Sequence, residues 1–132
     1  MRFLSIYKTV ERNTPPTAEH VAQMTKLIEE GMRNGTLIST EGCLPTALGA
    51  RVRQADGKVT VTDGPFTESK EVVGGFAILE AKSKEEAIEM VRQFLEVAGD
   101  GECEIRQIFT ASDVAPTDPS AVHGRLKEQY AS

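Results

Sequence analysis

The hydrophobic pattern of this chain alternates between a period of two and a period near 3.6, and each switch predicts an element. Phe3-Leu4-Ser5-Ile6-Tyr7, inside the segment Arg2 to Lys8, reads as a buried strand. Asn13-Thr14-Pro15-Pro16-Thr17 breaks that pattern, and its prolines suit the entry to a helix. Val21, Met24, Ile28 and Met32 then form one apolar stripe along a helix of about four turns. Gly31 weakens this helix near its end, and Asn34-Gly35 stops it. Leu37-Ile38-Ser39-Thr40 begins a second strand that Gly42 and Pro45 interrupt.

Arg51-Val52-Arg53 and Val59-Thr60-Val61-Thr62 flank Asp56-Gly57, a pair that tolerates the positive φ values of a tight hairpin turn. Val72 to Glu80 is the longest predicted strand. Ser83-Lys84-Glu85-Glu86 has the spacing of a capping box. Behind it Ala87, Ile88, Val91, Phe94 and Leu95 make a second helical stripe, which Gly99 ends. Cys103, Ile105, Gln107 and Phe109 alternate with Glu104, Arg106 and Ile108 as a last strand.

The order β-α-β-(hairpin)-β-α-β predicts an α+β class: a ferredoxin-like βαββαβ sandwich with an extra β-hairpin between its second and third main strands. Both faces of Val72 to Glu80 are apolar, with Val73, Gly75, Ala77 and Leu79 on one and Val72, Gly74, Phe76 and Ile78 on the other. Two helices cover only one face, so the second needs another partner. A two-fold homodimer whose sheets enclose a shared cavity meets that need. The domain is expected over residues 1–112, with a tail over 113–132 that begins in the turn-rich Ala115-Pro116-Thr117-Asp118-Pro119 and adds a loose helical turn or two between Arg125 and Tyr130.

Composition narrows the classes. A chain of 132 residues with 39% hydrophobic and 27% charged residues supports one folded domain. Its 20 acidic residues against 15 basic ones argue against a binder of the nucleic-acid backbone. No run reaches the ~20 apolar residues of a membrane span, and the first apolar run is too short for a secretory leader. Cys43 and Cys103 are too few and too far apart for a disulfide framework or a zinc site, which points to a reducing cytoplasm. Neither a metal-ligand pair nor a phosphate-cradling loop is present, so no cofactor is expected.

His20 lies roughly 85° from the centre of the first helical stripe, at the border of the buried face and beside Leu27. An imidazole there can reach a pocket and still exchange protons, or it is an ordinary surface group near Glu19. Asp63-Gly64-Pro65-Phe66 forms a tight corner. Asp63 either braces that corner by accepting backbone N–H groups or faces a cavity as a proton acceptor. Phe66 anchors the corner. Gly74-Gly75 marks close approach by another backbone or by a ligand. Lys70, between Glu68 and Glu71, belongs to a solvated cluster or meets an anionic substrate group.

Thr62-Asp63-Gly64-Pro65-Phe66-Thr67-Glu68-Ser69-Lys70-Glu71, followed by Gly74-Gly75-Phe76, resembles the DGPF box of the YCII-related proteins. The resemblance extends to Phe3–Tyr7, Gly35-Thr36-Leu37, Glu41-Gly42-Cys43-Leu44 and Asp56-Gly57. It implies a dimeric α+β barrel and a site in which a histidine early in the first helix pairs with an aspartate near the sheet. His20 matches that histidine. Asn34 and Thr36 supply no carboxylate at the helix end, which leaves Asp63 as the substitute. Relatives include ring-processing enzymes, and some members are encoded beside, or fused to, alternative sigma factors. The expectation is therefore isomerase- or lyase-type chemistry on an apolar or aromatic metabolite. His20 and Asp63 are its catalytic pair, and Lys70, Phe66, Gly74 and Gly75 contact the substrate. The alternative is a ligand-binding or regulatory module associated with a sigma factor.

Overall fold

The computed structural model describes residues 1–12 and 14–114. The linker expected from Ala115 and the helical turns expected near Arg125 lie outside the described residues. The element order is β1 (Arg2–Thr9), α1 (Ala18–Asn34), β2 (Leu37–Gly42), a 3₁₀ turn (Thr46–Leu48), β3 (Ala50–Ala55), β4 (Lys58–Asp63), β5 (Val72–Glu80), α2 (Lys84–Ala98), β6 (Glu102–Gln107) and a last turn of helix, α3 (Ala111–Val114). β2, β5, β1 and β6 form one sheet in that order, with antiparallel neighbours, and β3 and β4 pair separately. Together with two helices on one face, this is the ferredoxin-like α+β sandwich with an added hairpin.

Local chemistry explains the boundaries. The Thr17 hydroxyl accepts the His20 backbone N–H and starts α1, and Gly35 ends it at φ 79°. The Ser83 hydroxyl accepts the Glu86 N–H at the start of α2. Asp56 and Gly57 take φ values of 51° and 78°, the turn that the Asp-Gly pair predicts.

The core is Phe3, Leu79, Ala81, Ala87 and Val91, with Leu37, Ala77, Leu95, Cys103 and Ile105 packed against it. All the sheet residues in this set belong to the face under the helices. Burial raises the Cys103 thiol above its usual value, which fits a structural side chain. On the other face Leu4, Ile6, Phe76 and Ile78 are only half-buried, and among the described residues no element covers them.

Two details depart from the sequence expectation. β1 and β5 slip register between Tyr7 and Lys8, so Tyr7 faces Gly75 while Lys8 faces Val73. Gly74 is the extra residue of this bulge. Simple alternation places Gly74 with Phe76, but a Cβ there would stand 3.2 Å from the Tyr7 ring, on the helix side. The helix α1 is also turned relative to its predicted stripe. Val21 and Met32 are 48% and 50% exposed, and no α1 residue is fully buried. The helix stands off the sheet instead of resting on it.

Candidate functional site

The stand-off of α1 follows from the residues beneath it. The floor opposite the helix is built of small residues in register: Ser5 faces Ala77, Thr40 faces Ala77 from the other side, and Gly42 faces Gly75. Such a floor cannot fill the gap beneath α1, and α2 closes only one side. The result is a half-open cavity of about 510 Å³ between α1 and the sheet. Apolar groups of Met24, Leu27, Ile28, Met90, Val91 and Phe94 dominate its wall. A volume of this order suits a small-molecule ligand.

His20 lies on that wall. β1 leads into α1, so the first turn of α1 stands over the end of β1 that holds Tyr7, beside Gly74 and Gly75 of β5. Tyr7 closes this end. Its ring meets Phe94 edge-on at 5.2 Å, and its hydroxyl donates to the Asp100 carbonyl at 3.0 Å. Gly75 is required for a physical reason, since a Cβ there would come within 2.7 Å of the Glu41 carbonyl. The backbone approach that paired glycines signal is made by the end of β2.

The structure divides the sequence-derived site residues into two groups. His20, Gly74 and Gly75 share the cavity wall. Asp63, Phe66 and Lys70 lie outside that wall. Asp63 is exposed at the end of β4, where it pairs with Ala50, and Lys70 is exposed as well. Phe66 lies beneath the Arg51 guanidinium, 3.8 Å from its ring centroid. Arg51 also donates to Glu68 at 2.7 Å and to Ser69 at 3.0 Å. The carboxylate-bearing residues on the cavity wall are Glu30 and Glu41. Among the described residues, no group of three His, Cys, Asp or Glu side chains is placed to hold a metal ion.

The Asp-Gly-Pro-Phe corner is locked to the 3₁₀ turn. The Gly64 N–H donates to the Gly49 carbonyl at 2.9 Å, and the Phe66 N–H donates to the Thr46 hydroxyl at 3.1 Å. Thr46 in turn donates from its hydroxyl and its backbone N–H to the two oxygens of Glu11, at 2.7 and 2.6 Å. Neither Glu11 nor Thr46 stood out in the sequence, because they meet across 35 positions. The Thr46 hydroxyl, and then its backbone N–H, hold the Glu11 carboxyl below its usual value of 4.5. A depressed carboxyl stabilises the fold above its unfolded value, and the contribution is lost as pH falls through the folded one. In urea titrations from pH 6 downward, wild type should therefore lose its advantage over Glu11→Gln below about pH 4.5. A constant gap between the two proteins across that range would contradict the bridge.

A ferredoxin-like α+β protein with a half-open, ligand-sized cavity and an imidazole on its wall is the class that fold and site define. Residues 1–112 match the YCII-related domain, and the chain belongs to that family. A curated relative, an uncharacterised protein of Rhizobium meliloti (strain 1021), is 39% identical over 49 residues. That match takes in 37% of this chain and about 40% of the relative's length. Among solved structures, the chain is similar to the 5-chloro-2-hydroxyhydroquinone dehydrochlorinase of Burkholderia phenoliruptrix AC1100 in complex with 2,5-dihydroxybenzoquinone. The identity is 19% and the TM-score 0.41, with 83% of this chain and 94% of that one covered.

Proposed function

We propose that the protein binds a small, largely apolar ring compound in the cavity beneath α1 and that His20 moves a proton on it. The observation that carries this reading is the coincidence of one imidazole with an apolar, ligand-sized space over a floor of small residues. An imidazole takes up and releases protons near neutral pH, which suits isomerisation, elimination or lyase chemistry. Gly74 and Gly75 present backbone to the cavity wall, with the Tyr7 ring and the end of β2 packed against them. Phe66, held by Thr46 and Arg51, supports the site from outside by fixing the loop that leads into β5, while Asp63 and Lys70 are exposed and off the wall.

The half-buried face of Leu4, Ile6, Phe76 and Ile78 supports a homodimer packed sheet to sheet. Sedimentation velocity should give twice the chain mass, and a monomer at all concentrations would remove this part of the proposal. Both cysteines are free, which suits a reducing compartment such as the cytoplasm. No described helix is long and apolar enough to cross a membrane. The regulatory alternative, a ligand sensor working with a sigma factor, keeps the cavity and omits proton transfer.

Ala77→Leu tests the cavity. The added methyl groups enter the floor between Ser5 and Thr40, so small-ring binding seen in calorimetry should fall at least tenfold. Thermal stability should hold or rise, because a void is filled rather than a packed core stretched. Undiminished binding in a folded Ala77→Leu protein would place the ligand elsewhere.

A further inference from the structure

Among the described residues, the cavity wall includes no lysine and no arginine. Among the described residues, the charged or imidazole side chains on the wall are His20, Glu30 and Glu41, so the permanent charges on the wall are negative, and the Arg12 guanidinium, against Gly99, stands outside it. The helix ends add little net field. The chain path brings the start of α1 and the end of α2 to the same end of the sheet, so a positive and a negative helix terminus meet there and oppose each other. Lys70, the residue the sequence suggests for meeting an anionic group, is exposed and off the wall.

From this we infer that the cavity selects uncharged ligands and rejects carboxylates and phosphates of the same shape. The inference rests on the proposed binding site and adds the charge class of its ligand. A carboxylate entering this space gives up its hydration and gains no cation in exchange, while two glutamates at the wall repel it. A neutral phenol or quinone-like ring loses far less on desolvation. Its hydroxyl or carbonyl can exchange a hydrogen bond with His20, or with the Ser5 and Thr40 groups on the wall. Proton transfer then starts from a weakly acidic O–H or C–H of a neutral ring, and no pre-existing anion has to be held.

The test compares 4-methylphenol with 4-methylbenzoate, a matched neutral and anionic pair, by calorimetry and ligand-observed NMR at pH 8. The phenol should bind at least tenfold more tightly. Gln93→Lys, at an exposed wall position of α2, should narrow or reverse that ratio by strengthening benzoate binding and leaving the phenol within about threefold. Tighter benzoate binding by wild type, in competition with the phenol, would overturn the inference while keeping the cavity as the site. Failure of both compounds to bind would overturn the site itself and the inference with it.

Discussion

Gly64→Ala should destabilise the protein by about 3 kcal/mol, the scale of a severe steric misfit in a fixed backbone. A Cβ at Gly64 would overlap the Thr46 carbonyl oxygen, at 1.6 Å, and would stand 3.3 Å from the Ala47 Cα. These are backbone atoms, so no side chain can turn away to make room. The corner can accept the methyl group only by separating from the 3₁₀ turn. That breaks the bond from the Gly64 N–H to the Gly49 carbonyl and releases Phe66 from Thr46. Gly49→Ala is the control, since its Cβ would lie at ordinary contact distance, 3.5 Å from the nearest heavy atom, and its φ of −111° is open to any residue. Urea denaturation of both variants should show a large loss for the first and a small one for the second. Equal small losses would mean that the corner tolerates displacement and is not the brace described above.

His20→Gln should lower turnover of a ring substrate by roughly 10²- to 10⁴-fold, the usual contribution of a general acid or base. Glutamine keeps a hydrogen-bonding group at the wall and removes the imidazole that can take up and release a proton. Affinity should therefore change by no more than about threefold, and the loss should fall on kcat. Asp63→Asn should leave kcat within about threefold of wild type, because Asp63 is exposed at the end of β4 and absent from the cavity wall. Equal, large losses in both variants would restore a working His20–Asp63 pair. Retained turnover in His20→Gln would leave the cavity as a binding site alone.

Much of the fold was legible in the sequence because local rules decide it. The Asp56-Gly57 turn, the Ser83 cap and the stops at Gly35 and Gly99 each depend on a few adjacent residues, and each lies where the pattern placed it. The candidate site was less legible because its geometry is non-local. The rotation of α1 and the cavity beneath it arise from Ser5, Thr40, Gly42, Gly75 and Ala77 meeting across three strands. No window of sequence displays that floor. The bulge at Gly74 moves one glycine to the opposite face, which strict alternation cannot anticipate. The sequence expectation of a cavity between two sheets came from counting apolar faces. The helix side holds a cavity of its own, because small residues there leave space that helices do not fill.

The corner illustrates the same limit. Its backbone constraint was visible in Asp63-Gly64-Pro65-Phe66, but the groups it grips, Glu11 and Thr46, carry no signal in isolation. Arg51 entered the sequence pattern only as part of a strand flanking the Asp56-Gly57 turn, yet its guanidinium covers Phe66 and reaches Glu68 and Ser69. A motif rich in turn residues thus braces the corner that leads into β5. Of its charged members, Glu68 serves that brace through Arg51.

The most direct measurement is a two-dimensional amide NMR titration of the ¹⁵N-labelled protein with 4-methylphenol. The account predicts shifts that concentrate on His20, Leu27, Gly31, Gly74 and Gly75, the wall beneath α1, with little change from Asp63 to Lys70. Shifts confined to Asp63, Phe66 and Lys70, with the residues around His20 unmoved, would contradict it and transfer the site to the corner.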